Sequence, residues 1–360
     1  MRCIEMSFWN SRRFAGWSLV FAGILGVAWL ARPARVPENV AYVSDEKGGI
    51  TVIDLKTLDI LKQIDLKGVE PRGISLTSDG RYLVTANKDT SDASVIDTRS
   101  FRTVRRIHIG TNPEFLKLHP SGKWLFTSHE PASAGAPPKE DAERKGVWSP
   151  PSRIVALDVQ DWSIARAFSG GTETEGIEFS RDGKTLIVTN EAENTIAVFE
   201  VETGKLVREI DVTPYGLRPR GVKVSRNGNT YAVTLEASNK LLLFDQDFAL
   251  IRSISTRAGP YGVAYDREGR RLLVAAAKAQ MLQVYDADAL QLMAEVPVGQ
   301  RCWHFTFTPD DSKILLACGR SNDVHIIDAK TYRPIRVLKG LQMPWGIVTY
   351  PRAYGSLDLP

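Results

Sequence analysis

The sequence predicts an all-β fold, a seven-bladed β-propeller, and three observations support that prediction. A short phrase of the type Val-Ile-Asp recurs seven times along the chain. A tight-turn phrase precedes six of these recurrences, as expected for hairpins of short strands. The last apolar segment of the chain supplies a strand that the first repeat lacks. We therefore expect a leader over residues 1–35 and a propeller over residues 36–355.

The leader contains an uncharged apolar segment at residues 14–31, which follows Arg12 and Arg13 and precedes Arg32. Eighteen residues are just enough for a helix that spans a bilayer. No clean Ala-x-Ala cleavage site follows the segment. We predict a hydrophobic helix that anchors the chain to the inner membrane, with the propeller in the periplasm or elsewhere outside the cytoplasm. A cleaved export signal is the alternative, and the paired arginines partly match a twin-arginine signal.

The charge of the chain belongs mainly to the leader. The formal net charge is +4, and the first 35 residues hold five arginines and one acidic residue. The remaining residues are therefore close to neutral. Proteins that bind nucleic acids normally present a basic face, so the composition argues against a nucleic-acid partner.

The recurring phrase sets the length of the repeat. Its last residue is expected to end the third strand of each unit, and successive phrases are 41 to 45 residues apart with one interval of 61. Four strands in about 42 residues are typical of a propeller blade. The long interval predicts an insertion at residues 131–152 of the third blade. The seven phrases end at Asp54, Asp97, Asp158, Glu200, Asp245, Asp286 and Asp328.

The first repeat is incomplete and the end of the chain matches what it lacks. Residues 40–66 supply three strands, whereas residues 343–350 resemble the innermost-strand phrase of the other units, such as residues 71–74. We predict that this C-terminal strand completes the first blade and closes the ring. Closure leaves no unpaired inner strand.

The repeats resemble the YVTN-repeat family of β-propellers. Residues 188–190 (Val-Thr-Asn) and 194–198 (Asn-Thr-Ile-Ala-Val) are close to the central phrase of that family, and residues 84–87 are a weaker echo. The resemblance covers about residues 40–350. It implies the fold and an extracytoplasmic location, but the family holds proteins of varied role. No unit ends in the Trp-Asp pair of WD40 propellers.

One face of the predicted ring collects the variable residues. The loops before the first strand and after the second strand of every blade share this face, which we call the top face. The variable position of the entry phrase Pro-x-Gly-Ile rings the channel mouth there. Guanidinium groups at these positions would hold a carboxylate or phosphate, and aromatic rings would stack on a planar ligand or a partner's side chain. The alternative is that arginine and glutamate simply pair with each other. The seven predicted ligand-binding residues are Arg72, Glu114, Glu175, Arg220, Tyr261, Trp303 and Trp345.

Three departures from the repeat fall on the same face. The next position is glycine in five units but Phe115 in the third and His304 in the seventh. The insertion holds Trp148, which we predict to act as a lid or docking anchor unless the insertion is an inert surface loop. His129 begins this loop. If His129 and His304 converge, they would ligate a metal or a haem iron; a hydrogen-bonded channel histidine is the alternative.

Two cysteines lie in one predicted hairpin. Ideal pairing puts Cys302 opposite residue 319, one position out of register with Cys318. A small bulge would bring the two sulfur atoms within reach of a disulfide, which an oxidising compartment favours. Two free buried thiols are the alternative, and a copper or zinc site with His304 is a third reading.

The sequence carries no decisive catalytic motif. G-x-S-x-G, H-E-x-x-H, a Walker loop, paired C-x-x-C and the C-x-x-C-H haem attachment are all missing. We therefore expect an extracytoplasmic binding module, more consistent with a non-enzyme, whose top channel mouth docks a protein partner or a small ligand.

Two alternatives to that binding module stay open. YVTN units are similar to the haem-binding propellers of nitrite reductases, which implies a propeller that binds a haem-type tetrapyrrole or a metal in electron transfer or cofactor assembly. A lactonase or other hydrolase ranks last, because Glu114 and Glu175 are the only acids in the predicted ring.

Overall fold

A computed structural model describes residues 35–131 and 151–359. Almost all of the predicted leader, and Trp148 with most of the insertion at 131–152, lie outside the described residues. In the part of the chain that is described, no helix is long and apolar enough to cross a membrane.

The described residues form seven four-stranded antiparallel sheets, which are the blades. Blade 1 comprises β28 (Pro344–Tyr350), β1 (Val40–Asp45), β2 (Gly49–Asp54) and β3 (Ile60–Ile64). Blade 2 comprises β4 (Pro71–Leu76), β5 (Tyr82–Asn87), β6 (Asp92–Asp97) and β7 (Arg102–His108). Blade 3 comprises β8 (Pro113–Leu118), β9 (Trp124–His129), β10 (Arg153–Asp158) and β11 (Ile164–Ser169).

The other four blades repeat this order of strands from the channel outward. Blade 4 comprises β12 (Thr174–Phe179), β13 (Thr185–Asn190), β14 (Thr195–Glu200) and β15 (Leu206–Asp211). Blade 5 comprises β16 (Pro219–Val224), β17 (Thr230–Leu235), β18 (Lys240–Asp245) and β19 (Leu250–Ser255). Blade 6 comprises β20 (Pro260–Tyr265), β21 (Arg271–Ala276), β22 (Met281–Asp286) and β23 (Leu292–Pro297). Blade 7 comprises β24 (Cys302–Phe307), β25 (Lys313–Cys318), β26 (Asp323–Asp328) and β27 (Pro334–Lys339), with a short 3-10 helix at Gly319–Ser321.

The predicted closure of the ring is confirmed. Strand β28 pairs antiparallel with β1, with Tyr42 opposite Val348 and Val43 opposite Ile347. All four side chains are buried. The first blade is therefore built from both ends of the propeller segment, and the all-β seven-bladed fold predicted from the repeats is correct.

The innermost strands lie close together because most of them carry a glycine at the same position. A Cβ atom at Gly73 would lie 2.6 Å from the carbonyl oxygen of Glu114 in the next blade, and one at Gly262 would lie 2.5 Å from that of Trp303. Neither contact leaves room for a side chain, because backbone atoms cannot move aside. These glycines thus allow the strands to approach at the channel.

A bulge recurs at the top of the first hairpin in each blade. In blade 2 the register shifts between Pro71 and Ile74, and in blade 7 it shifts between Cys302 and His304. Bulges re-aim side chains next to functional sites. Here they lie beside the ring positions predicted from the sequence.

The bulge in blade 7 also places Cys302 directly opposite Cys318, where unbroken pairing would leave them one residue out of register. The two cysteines form a disulfide bond in the structure. Neither sulfur is a free thiol, so the alternative readings of two thiols or of a copper or zinc site with His304 do not describe this structure.

Removal of this disulfide is expected to destabilise the propeller. The bond closes a loop across 16 residues, and loops of that size are worth about 3 kcal/mol. We expect the variant Cys302→Ser/Cys318→Ser, and the reduced wild type, to unfold at lower urea concentration than the oxidised wild type. The double variant itself should not respond to reductant. Identical urea midpoints for oxidised and reduced wild type would contradict the prediction.

The chain continues into the channel after the last strand. The propeller was predicted to end at residue 355, with no role for the residues that follow. In the structure the hydroxyl of Ser356 lies 3.1 Å from Nδ1 of His304, and the side chain of Leu357 is buried. The carbonyl oxygen of Asp358 accepts hydrogen bonds from Lys117 Nζ at 2.6 Å and from Lys223 Nζ at 2.9 Å. Residues 351–359, which we call the C-terminal tail, thus occupy the lower channel.

Candidate binding site in the central channel

The predicted ring residues of neighbouring blades contact one another in the upper channel. The guanidinium of Arg72 pairs with the carboxylate of Glu114. Arg220 Nη1 lies 2.7 Å from Glu175 Oε2, and the hydroxyl of Tyr261 donates a hydrogen bond to Glu175. All five side chains are buried. The structure therefore brings these five residues into one network.

A third carboxylate, not foreseen from the sequence, joins the two acids of the ring. Carboxylate oxygens of Glu114, Glu130 and Glu175 lie within 4.8 Å of one another, and all three residues are buried. We call these three residues the acid cluster. Glu130 immediately follows strand β9, at the start of the insertion.

The position of Glu130 belongs to a second ring that the repeat alignment contains but that the sequence analysis missed. The residue directly after the second strand of a blade is glutamate in four blades, and these residues are Glu46, Glu130, Glu191 and Glu236. All four are buried. The signal was available in the spacing, since glutamate recurs at one repeat position. The entry phrases do not contain this position, so they give no sign of the second ring.

The glutamates of the second ring form ion pairs with the arginines of the first ring. Arg72 Nε lies 3.1 Å from Glu46 Oε1. Arg220 contacts Glu191 at 2.6 Å, Glu236 at 3.0 Å and Glu130 at 3.3 Å, in addition to Glu175. The guanidinium groups of Arg72 and Arg220 thus form ion pairs with carboxylates of this chain. This is the alternative left open by the sequence, in which arginine and glutamate pair with each other.

The acid cluster retains protons because it holds more buried carboxylates than nearby guanidinium groups can offset. Burial and the charge of Glu175 raise the pKa of Glu114 to about 7, against the opposing charge of Arg72. Burial and the neighbouring charges of Glu175 and Glu114 raise the pKa of Glu130 well above its ordinary value. Burial also raises the pKa of Glu175, but the charge of Arg220 and the hydrogen bonds from Glu130 and Tyr261 together outweigh it and hold this pKa below its ordinary value.

Replacing Glu114 is expected to change how stability depends on pH. Because the pKa of Glu114 is raised from 4.5 to about 7, the folded chain keeps a proton there that the unfolded chain loses. The contribution of this group to stability therefore falls as the pH rises from 4.5 to 7. Glu114→Gln removes that titration, so the variant should gain up to about 1.4 kcal/mol per pH unit relative to the wild type across this interval.

Urea unfolding of the wild type and of Glu114→Gln at several pH values measures this difference. Glu209→Gln is a matched control, because Glu209 lies exposed on the outer strand β15. The free energy of unfolding of the control should differ from that of the wild type by the same amount at every pH. If the difference between Glu114→Gln and the wild type were also independent of pH, the raised pKa of Glu114 would be contradicted.

His304 lies at the centre of an aromatic group beside the acid cluster. Its ring centroid is 4.3 Å from that of Trp345, 5.4 Å from Phe115 and 5.5 Å from Tyr261. Burial lowers the pKa of His304 to about 3, so the imidazole is neutral at ordinary pH. Nδ1 faces Ser356 of the tail, whereas Nε2 is buried without a hydrogen-bond partner among the described residues. Nε2 is therefore a buried polar atom whose hydrogen-bonding capacity is not met by the described residues.

The structure does not bring His129 to the same place. Its Nδ1 hydrogen-bonds to the carbonyl oxygen of Arg153, and its other nitrogen faces Gly110. Burial lowers the pKa of His129 to about 4. None of these neighbours contacts His304, so the two histidines do not form the metal or haem site predicted for their convergence.

Trp303 covers the rim of the channel rather than stacking with the other rings. Its indole lies against Gly319, where any side chain would collide with it, and Arg301 lies 5.8 Å from its ring centroid. Gly319 thus allows the loop of blade 7 to fold over the indole. Trp148 lies outside the described residues, so its role as a lid or docking anchor stays a prediction.

Comparison with known families gives one partial match. The family described as "Lactonase, 7-bladed beta-propeller" matches residues 156–257, which include Glu175, Arg220 and Glu236. No curated protein matches the chain.

Comparison with solved structures gives many matches that extend over most of the chain. A functionally unknown protein from Desulfotomaculum acetoxidans is 15% identical with a TM-score of 0.72, covering 86% of this chain and 98% of that one. The periplasmic gluconolactonase of Pseudomonas aeruginosa is 17% identical with a TM-score of 0.69, covering 88% and 99%. A dihydro-heme d1 dehydrogenase is 14% identical with a TM-score of 0.64, covering 89% and 76%. Likeness at such low identity shows the fold alone. By its strand order and by these comparisons, the chain is a seven-bladed β-propeller.

Proposed function

We propose that this protein binds a small uncharged hydroxylated molecule, such as the lactone of a hydroxylated acid, in the upper channel and does no chemistry on it. The observation that carries the proposal is the acid cluster of Glu114, Glu130 and Glu175, buried beside the unpartnered Nε2 of His304. Strongly perturbed titratable groups that gather in a channel are candidates for a functional site.

The cost of burying these groups supports a role other than stability. Taking a carboxylate out of water costs several kcal/mol, and replacing a buried ion pair with apolar residues is often neutral or stabilising. Among the described residues, six buried carboxylates surround the upper channel, at Glu46, Glu114, Glu130, Glu175, Glu191 and Glu236. Apolar residues would have filled the same space at lower cost. Binding explains the arrangement better than packing.

The chemistry of the site favours a small hydroxylated ligand. Glu114 and Glu130, with raised pKa values, offer both donors and acceptors to hydroxyl groups. The rings of Tyr261 and Trp345 offer apolar faces at the same level. Pockets of this kind combine aromatic walls with a few convergent polar groups. The side chains are deeply buried, which favours a small molecule over a protein partner.

The propeller is proposed to work outside the cytoplasm, held at the membrane by residues 14–31. The apolar segment between arginines supports an anchor. The bond between Cys302 and Cys318 supports an oxidising compartment, because disulfides persist there and are rare in the cytosol.

Isothermal calorimetry of the full-length protein in a non-ionic detergent tests the binding. The probe is D-glucono-1,5-lactone. We expect the wild type to bind it, Glu175→Gln to bind it about tenfold more weakly, and the surface control Glu209→Gln to match the wild type. No heat from the lactone, or equal losses in both variants, would overturn the proposal.

A second candidate function is hydrolysis of a lactone. It is favoured by the partial family match and by Glu114, whose raised pKa of about 7 suits a general base next to the guanidinium of Arg72. A pH-stat measurement of ring opening with D-glucono-1,5-lactone distinguishes the two functions. If the wild type hydrolyses the lactone and Glu114→Gln does not, the protein is an enzyme and the non-catalytic proposal is wrong. If the wild type binds the lactone without hydrolysing it, the result supports a non-catalytic binding protein.

The residues of the channel do not fit a haem-type group. Arg72 and Arg220, expected to hold its propionates, are already paired with carboxylates of this chain. His304 is enclosed by aromatic rings and bound to the tail through Nδ1. The dihydro-heme d1 dehydrogenase is therefore similar to this chain in fold, and that similarity does not imply that the two proteins share a cofactor.

A metal ion also fits poorly at the acid cluster. Arg220 Nη1 lies 2.7 Å from Glu175 and 3.3 Å from Glu130, so a guanidinium already supplies positive charge between these carboxylates. A divalent cation would have to displace this guanidinium from Glu175 and Glu130, which opposes its binding at the acid cluster.

A further inference from the structure

A cavity of about 300 Å³ lies at the opposite end of the channel, on the face that carries the inner turns of the blades. Its walls include Lys117 and Glu178 at the ends of two innermost strands and the turn residues Arg181 and Arg226. The C-terminal tail forms the remaining wall through Tyr354 and its neighbours. The volume is at the lower limit of known small-ligand pockets.

Two lysines share one carboxylate at the inner end of this cavity. Lys117 Nζ lies 3.1 Å from Glu178 Oε2, and Lys223 Nζ lies 3.4 Å from the same oxygen. Both ammonium groups also donate to the carbonyl oxygen of Asp358. All of these residues are buried. The two amino groups therefore share one carboxylate, and burial together with the charge of Lys117 lowers the pKa of Lys223 to about 7.

The rim adds two guanidinium groups that have no acidic partner among the described residues. Arg226 lies 4.6 Å from the ring centroid of Tyr354, and its buried Nε has no hydrogen-bond partner among residues 35–131 and 151–359. Within the same ranges the exposed Arg181 forms no ion pair. A third guanidinium, that of Arg352, is neutralised by Asp358, with Nε 2.7 Å from Oδ1.

The charges of this end of the channel do not balance. The described residues at and behind the cavity wall supply four cations and two carboxylates, which leaves an excess of two positive charges. The cations are Lys117, Arg181, Arg226 and Arg352, and the carboxylates are Glu178 and Asp358. Lys223 is left out of this count because its lowered pKa makes it only partly charged near neutral pH. Such an excess in a concave site attracts anions.

We propose that this cavity is a second binding site, which takes a small anion with two or more negative charges of the carboxylate or phosphate type. The free Nε of Arg226 and the guanidinium of Arg181 would hold its outer charged group, since planar guanidinium groups match carboxylate and phosphate geometry. Lys117 faces its inner end. The site shares no residue with the acid cluster, so it is independent of the ligand proposed for the upper channel.

The site also depends on the tail. Tyr354 supports the guanidinium of Arg226, and Asp358 orients both buried lysines through its carbonyl oxygen. A bound anion would contact a wall that the tail helps to build. Binding is therefore expected to stabilise the tail in the channel.

Calorimetry of the full-length protein with citrate and with inorganic phosphate tests the proposal, each against sodium chloride at equal ionic strength. The test variant is Arg181→Gln/Arg226→Gln. The matched control is Arg102→Gln/Arg333→Gln, which removes the same two charges from exposed positions that do not line the cavity. Unfolding curves of both variants in chloride establish that each is folded.

We expect the wild type and the control to bind citrate, phosphate or both, and the test variant to bind about tenfold more weakly or not at all. The preferred probe then shows whether the site favours carboxylate or phosphate. Absence of anion-specific heat in the wild type would overturn the proposal. An equal loss in the control and the test variant would also overturn it, because binding would then follow net charge and not this cavity. Binding of the uncharged D-glucono-1,5-lactone in the upper channel should survive the substitution of Arg181 and Arg226, which separates this result from the test of the proposed function.

Discussion

Replacing Arg220 with methionine is expected to lower the free energy of unfolding by about 3–5 kcal/mol, since removal of one partner of a buried ion pair leaves an uncompensated charge. Arg220 contacts Glu130, Glu175, Glu191 and Glu236, and all of them are buried. Methionine keeps much of the side-chain volume, so the loss reports mainly on charge. No other described arginine holds four carboxylates.

Urea unfolding at neutral pH measures the effect, and Arg257→Met is the matched control. Arg257 Nε lies 2.8 Å from Glu295, but 61% of the arginine side chain is exposed. An exposed pair of this kind is worth less than about 1 kcal/mol. The loss at Arg220 should shrink in acid, because carboxylates that carry a proton no longer need a cation. Similar losses for the two variants would show that the channel network is solvated and not buried.

The fold could be predicted from the sequence because each blade repeats the same local pattern. The hairpin turns and the Val-Ile-Asp phrases depend on residues that lie near one another in the chain. Closure was also predictable, since residues 343–350 copy the innermost-strand phrase of other blades. Seven blades then follow from counting repeats. The ring of Arg72, Glu114, Glu175 and Arg220 followed from the same alignment.

The partners of the ring residues were not predictable in the same way. Arg220 meets Glu130, which is 90 residues away in the sequence and sits next to an insertion. No spacing in the chain specifies this contact, since it depends on how three blades converge at the axis. The bulge at Cys302 is a similar case, because it shifts the register by one residue and decides whether the disulfide forms.

The C-terminal tail was missed because it belongs to no repeat. Its residues have no counterpart in other blades, so alignment offered no place for them. Their contacts are nevertheless with the innermost strands, as with Ser356 on His304 and Asp358 on Lys117. The tail therefore connects the imidazole beside the acid cluster to the cavity on the opposite face.

Two truncations are expected to separate the tail from the strand that closes the ring. A chain that ends at residue 351 keeps β28 but loses the buried side chains of Tyr354 and Leu357. It should still unfold cooperatively, with a free energy of unfolding lower by about 2–5 kcal/mol, as for large-to-small changes in a core. A chain that ends at residue 343 also loses Trp345 and Ile347, and β1 becomes an unpaired inner edge. It should show no cooperative transition.

Near-ultraviolet circular dichroism and urea unfolding of both truncated chains measure the difference. The shorter chain loses an innermost strand that pairs with β1 and whose buried residues pack in two of the core clusters, so it cannot keep either neighbouring blade in place. A gap of this kind exposes strand edges that favour aggregation. The chain that ends at 351 serves as the control for the loss of the tail itself. If both chains unfolded cooperatively at the same urea concentration, β28 would contribute nothing to the ring, and closure through the first blade would not be what stabilises this propeller.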